Sequence, residues 1–208
     1  MDDLEISELS SDSNSDSPAA DMLVAIYREA HQGRDDSQAL FGMLADIKPF
    51  SDFTSAEDII LSSSGLPSSG LPSSGLPSSG FSGYFGWVGI TEQQPAGFML
   101  CRVLWAQQPV FETELVDIAV HPDYQGHSIG FHLLSHALTQ INKLGASGYE
   151  RQKMFLEVAE TNFKARKLYE KTGFIEVGRR KNYSQSAAGG RVDGLTYSWC
   201  GSLVSSAD

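Results

Sequence analysis

The chain has 208 residues, 41% of them hydrophobic and 10% aromatic, which suits one well-buried domain with appendages and excludes a largely disordered chain. Its formal net charge of −11 sits wholly in residues 1–60, which hold 14 Asp/Glu against 3 Lys/Arg, while residues 61–208 balance at 12 against 12. With no basic stripe, no apolar run of membrane-spanning length and an acidic opening "MDDLEISELS", direct nucleic-acid binding, membrane insertion and secretion are not expected, and a cytoplasmic monomer is.

In chain order, "LEISEL" (Leu4 to Leu9) alternates weakly and reads as a short edge strand. Ser17-Pro18 opens a helix, with Ser17 as N-cap and Pro18 at the first helical position. Met22, Leu23, Ile26 and Tyr27 fall at helical spacing, and Gly33 is the expected stop. A second helix is expected over Ser37 to Ile47. Residues 61–80 carry three copies of GLPSS, a repeat too short for a solenoid unit and too poor in apolar surface to order itself. It reads as a dispensable insertion within one domain, flanked by a strand and two helices in residues 1–60 and by the main core in residues 81–201, with residues 202–208 as a tail.

Strand-like runs follow: Tyr84 to Ile90, Ala96 to Ala106 and Thr113 to Val120, the first two joined by a turn at Gln93-Gln94-Pro95. A helix is expected from Ile129 to Leu144, ending at Gly145, then a strand over "MFLEVA" (Met154 to Ala159). Asn162 caps a helix "FKARKLYEKT" that Gly173 stops. Two last strands, Glu176 to Tyr183 and Leu195 to Cys200, flank a Gly-Gly turn. The strand–helix–strand–helix order between Thr113 and Gly173 implies parallel pairing, and the hairpins around it make the sheet mixed. Cys101 and Cys200 lie in separate apolar runs and read as reduced core or near-core thiols.

"VDIAVHPDYQGHSIG" (Val116 to Gly130) runs from a buried strand through a Pro-marked turn into a helix start. Backbone N–H groups exposed there, at the positive end of the helix dipole, make a natural anion site, and Gly126 and Gly130 allow close backbone approach. An ordinary strand-turn-helix unit shares this spelling. "FLEVAETNFKARKLYEKTGF" (Phe155 to Phe174) adds an acid on a strand, a capping Asn and a Tyr on the next helix. Glu157 is either a solvent-facing strand residue or a working base; the strand looks apolar on both faces, where an idle carboxylate is costly. His121 and His127 lack a second ligand at suitable spacing, so no metal is expected.

Together these two segments resemble the acetyl-CoA-binding core of the GNAT acetyltransferase superfamily. That family has a Gln/Arg-x-x-Gly-x-Gly/Ala loop, here Gln125, Gly126, His127, Ser128, Ile129 and Gly130, and an Asn-x-x-Ala-x-x-x-Tyr helix start, here Asn162, Ala165 and Tyr169. "EVGRRKNYS" (Glu176 to Ser184) and "GRVDGLTYSW" (Gly190 to Trp199) are similar to the RimI-like branch, the protein N-terminal alanine acetyltransferases. The resemblance spans Tyr84 to Cys200. It implies an α/β (α+β) GNAT fold: a mixed, mostly antiparallel sheet with a splayed parallel strand pair and flanking helices. It also implies acetyl-CoA as co-substrate, held by Ile118, Ala119, Val120, the Gln125-to-Gly130 loop and Asn162. Glu157 takes the part of general base acting through water, Tyr169 that of the acid protonating the leaving thiolate, and the Val120 N–H that of a carbonyl polariser. Arg180 and Tyr183 are then candidates for the acceptor groove.

Ser128 departs from the pattern by standing at a family glycine. At positive φ a serine is strained by about 1 kcal/mol; in the right-handed region it keeps its N–H and adds a hydroxyl donor. The expected acceptor is a protein N-terminal amine, by resemblance the N-terminal alanine of a small-subunit ribosomal protein. An α-amine titrates near ~8 and a lysine near ~10.4, so a weak base serves the former better. Acylation of a lysine or small amine is the nearer alternative, and a non-catalytic CoA-binding or interaction protein the more distant one.

Overall fold

Residues 4–9, 18–31, 37–53, 83–185 and 190–201 are described by the computed structural model. The GLPSS repeats, Ser17, Gly33 and the last seven residues lie outside them.

Alternating and fully apolar stretches produce a continuous meander of β2 (Tyr84–Thr91), β3 (Gln94–Gln107) and β4 (Val110–Val120). The first turn falls at Glu92-Gln93, one residue earlier than the Gln93-to-Pro95 turn expected from sequence. A two-residue hairpin needs positive φ at both central positions, and Glu92 and Gln93 supply 50° and 62°. Pro95, with φ fixed near −65°, cannot, and it joins the strand instead.

β1 (Glu5–Glu8) lies antiparallel on β2 as the edge strand. β5 (Arg151–Ala159), β6 (Ile175–Gln185) and β7 (Arg191–Cys200) complete one seven-stranded sheet of order β1-β2-β3-β4-β5-β7-β6. β4 and β5 form the parallel pair; the other neighbours run antiparallel.

Helices cover both faces. α1 (Pro18–Ala30) and α2 (Ser37–Ala45) enclose a cluster with Phe98, Leu100 and Ala119. α2 stops short of Ile47, which bridges to Tyr84; Lys48 precedes Pro49, a position that disfavours helix. On the other face α3 (Ile129–Lys143) buries Ile129, Leu133, Leu134, Ala137, Leu138 and Ile141, a helical stripe packed near Leu115, Leu156 and Val158. Truncating a fully buried leucine such as Leu133 to alanine costs about 2–5 kcal/mol. The expected stop at Gly145 is passed: a 3-10 turn over Leu144–Ser147 keeps Leu144 buried, and Gly148 at φ 90° ends it. α4 (Phe163–Lys171) begins at Asn162, whose Oδ1 accepts from the Ala165 N–H at 3.2 Å, and ends at Gly173 with φ 91°. Cys101 is buried, whereas Cys200 is exposed at the end of β7 rather than near the core.

Candidate active site

The functional geometry starts where β4 and β5 part. Their pairing holds from Val110↔Arg151 to Glu114↔Phe155 and then ceases. Opposite it, β3 pairs Leu100 with Asp117 and Cys101 with Leu115, so Val116 is an extra, bulged residue. A bulge bends its strand and increases local twist, which carries the end of β4 away from β5. The wedge so opened is a cleft of about 790 Å³. Ile118, Val120, Gly130, Glu157, Asn162, Tyr169 and Tyr183 all line it. Ala119 does not: strand alternation turns it to the α1/α2 core, where it is 3% exposed.

At the mouth, the loop from β4 to α3 is arranged as a donor surface. The first bond of the α3 ladder runs from the His132 N–H to the Ser128 carbonyl at 3.0 Å, so the amides of residues 128–131 precede the ladder, and the Ser128 side chain caps none of them. Unpaired helix-start amides with the dipole behind them favour an anion. Gly126 has φ 84°, and an added Cβ would meet nothing within 4 Å, so space lies open beside it. Gly130 is in ordinary contact distance of Leu168, Val120 and Ile118, joining the loop to β4 and α4. Gln125 donates from Nε2 to the Val120 carbonyl at 3.3 Å and ties the loop to the strand end. His127 is exposed, and the Ile129 side chain is core. Ser128 adopts φ 64°, ψ 12° without a side-chain capping bond, so the strained alternative holds, at about 1–2 kcal/mol. His121, considered from sequence only as a metal ligand, caps the turn: its Nδ1 accepts from the Asp123 N–H at 3.2 Å, and Nε2 lies 3.0 Å from Glu29 of α1.

Deeper in the cleft the two catalytic candidates come from opposite faces of the sheet. Leu156 and Val158 face α3, so Glu157 faces the other way, the side of α1. The expectation that this strand is buried on both faces is corrected. β5 alternates between buried and half-buried positions, and the Glu157 side chain is 30% exposed, which removes the burial argument for its role. Its Oε2 accepts from Arg180 Nη1 at 3.1 Å. Such a partly exposed pair contributes at most about 1 kcal/mol. Arg180 is not on the cleft wall itself; it stands over the Tyr183 ring at 5.8 Å. Tyr183 in turn rests on Gly194, where a Cβ would come within 2.6 Å of the ring.

Tyr169 projects from α4, is 6% exposed, and packs beside Phe174 and Tyr197 at ring distances of 5.9 and 6.2 Å. Burial first, then the negative charge of Asp117 and the neighbouring Tyr183, pushes its phenol above the ordinary range. The group therefore stays protonated through neutral pH. α4 is anchored for this purpose by Tyr197, whose hydroxyl donates to Glu170 at 2.9 Å and accepts from Arg166 at 3.3 Å.

Also lining the cleft are Tyr27, expected from sequence only as an apolar helix position, and His31 and Asp117, neither of them a candidate from sequence. Asp117 had a signal, an acid inside the apolar "VDIAV", the same reasoning that singled out Glu157. His31 had none, because it reaches β4 only through the packing of α1.

Comparison with known proteins agrees with this geometry. The model of the acetyltransferase (GNAT) family matches residues 69–174. The [ribosomal protein bS18]-alanine N-acetyltransferase of Haemophilus influenzae is 40% identical over 106 residues, 51% of this chain and 65% of that protein. Its Escherichia coli counterpart is 38% identical over 78 residues, 38% of this chain and 49% of that protein. The chain thus spans from about half to just under two thirds of the relatives it matches. In structure, the ribosomal-protein-S18-alanine N-acetyltransferase from Escherichia coli superposes with a TM-score of 0.61 at 21% identity, covering 98% of this chain and 97% of that one. Arabidopsis thaliana NAA60 in complex with a bisubstrate analogue gives 0.60 at 12% identity, covering 96% and 99%. With half of its length matched by the family model and the same fold beneath it, this chain belongs to the GNAT acetyltransferase family.

Proposed function

We propose that the protein is an N-α-acetyltransferase that moves the acetyl group of acetyl-CoA to a protein N-terminal amine, with the N-terminal alanine of a small-subunit ribosomal protein as acceptor. The observation that carries the reading is the β4–β5 splay. It gathers a row of helix-start amides, one partly buried carboxylate and one buried phenol around a single cleft. The similarity to the two bS18-alanine N-acetyltransferases supports the choice of acceptor.

Acetyl-CoA, when bound, supplies an activated thioester. The residues present fit it: the helix-start amides of residues 128–131 and the open space beside Gly126 suit a diphosphate, and Gly130, Val120 and Asn162 flank the path into the wedge. The edge of β4 that β5 leaves unpaired, ending at Val120, would orient N–H groups toward a thioester carbonyl. Glu157 would accept the proton of the attacking amine, directly or through one water. Tyr169, kept neutral by burial, would give its proton to the departing thiolate. A protein α-amine near ~8 needs little help from a base to be neutral at physiological pH, which matches a partly exposed, arginine-paired Glu157.

The test is incubation with acetyl-CoA and a peptide beginning Ala-Arg, beside the same peptide with a blocked N-terminus carrying an internal lysine. Mass spectrometry is expected to find one acetyl group on the first peptide and none on the second. Acetylation of the blocked peptide, or no calorimetric association with CoA, would overturn the reading.

A further inference from the structure

The sheet face that looks toward α1 carries two carboxylates beside the splay, and the scheme above uses only Glu157. The other is Asp117, adjacent to the bulged Val116 and on the cleft wall. Its side chain is 17% exposed, and its Oδ1 lies 3.2 Å from Nε2 of His31, just past the end of α1. The His31 ring is set against Tyr27 at 4.5 Å between centroids, and both residues line the same cleft.

The charges around this point are unequal. Glu157 on β5 is neutralised by Arg180 of β6, a permanent cation. Asp117 on β4 faces a histidine, which is charged only if protonated, and not a permanent cation. Tyr27 of α1, Tyr169 of α4 and Tyr183 of β6, the remaining titratable groups that line the cleft, are phenols and bring no charge. On the side away from the donor loop the cleft therefore presents a carboxylate held in orientation by His31, with no Lys or Arg among the described residues that line it. A cation with several N–H groups is the ligand chemistry such a carboxylate takes.

We propose that Asp117, oriented by His31, is the docking carboxylate for the positively charged amine of the acceptor and sets the preference for a free over a blocked N-terminus. The inference rests on the amine-acceptor reading above. An α-ammonium has three N–H bonds. One is directed to Asp117 Oδ2, and the proton of another passes to Glu157. The amine nitrogen keeps that electron pair, still held by Asp117, and uses it to form the new bond to the acetyl carbon. The C–S bond breaks with its electron pair leaving on sulfur, which takes the Tyr169 proton, and the second proton shed by the nitrogen returns through water to the Tyr169 oxygen. Asp117 makes direct contact with the acceptor; His31 is a positioning residue.

The decisive experiment is calorimetry on CoA-loaded protein with the Ala-Arg peptide and its N-acetylated form, with kinetics alongside. Wild type is expected to bind the free-amine peptide about tenfold or more tighter, the scale of one charge-assisted hydrogen bond. Asp117→Asn should erase that preference and raise the acceptor KM about tenfold, leaving kcat and the acetyl-CoA KM within about threefold. His31→Ala should lose part of the preference, and His31→Gln, which keeps a donor, should restore it; these two read the idea independently if Asp117→Asn melts early. Equal binding of the two peptides by wild type, or full discrimination by Asp117→Asn or by His31→Ala, would overturn it. A wild type that discriminates but transfers no acetyl group would instead sink the enzymatic reading and leave the docking site standing.

Discussion

The two walls of the cleft are made in different ways. The wall assigned to the cofactor is contiguous, running from Ile118 through the loop to Gly130, and its working parts are main-chain amides. The wall assigned to the acceptor is assembled from side chains of four elements or their ends: His31 after α1, Asp117 on β4, Glu157 on β5 and Tyr183 on β6, with Arg180 off the wall and paired to Glu157. A main-chain site tolerates side-chain change and fails with backbone geometry. A side-chain site fails one residue at a time, and only for the ligand that residue meets.

That contrast can be broken most forcefully at the shared centre. Tyr169→Phe is expected to lower kcat about 100-fold or more while the acetyl-CoA Kd stays within about twofold, the range of one lost proton donor. Stopped-turnover assays with calorimetry check it, and unchanged turnover removes the acid role. Glu157→Gln should lower kcat/KM for the acceptor about 100-fold at neutral pH, with part of the loss recovered as pH rises and the amine deprotonates unaided. A pH–rate profile that keeps the wild-type shape and height would exclude it. Next comes Gly194→Ala, which drives a methyl into the Tyr183 ring. The acceptor KM should rise several-fold while acetyl-CoA affinity is unmoved; a change in the cofactor alone would show that the walls are not separate. The smallest effect is expected at Ser128→Gly. Releasing a left-handed serine should raise Tm by about 2–4 °C for a chain of this size, with acetyl-CoA affinity within about threefold. A tenfold gain in affinity would mean that the native loop is impaired by its serine.

How much was readable beforehand follows the same division. The strands, α3, α4 and the Asn162 cap were legible because apolar periodicity and capping residues are local signals, good to a few positions. The loop and the Glu157–Tyr169 segment were legible because each lies within one short stretch. The bulge at Val116 was not, since it exists only in the pairing of β4 with β3. The exposure of Glu157 was misread because the five apolar letters around it do not reveal which face a neighbouring strand leaves open. The His31–Asp117 contact was out of reach altogether, joining residues 86 positions apart.

α1 ends with two residues that have different correspondents: Glu29 meets His121 under the donor loop, and His31, two positions later, meets Asp117 in the opposing wall. One rigid rod thus serves as a common fulcrum for both substrates. A change that tilts α1, however distant from the chemistry, should perturb Michaelis constants for donor and acceptor in concert, and evolution could not retune one partner from this helix without disturbing the other.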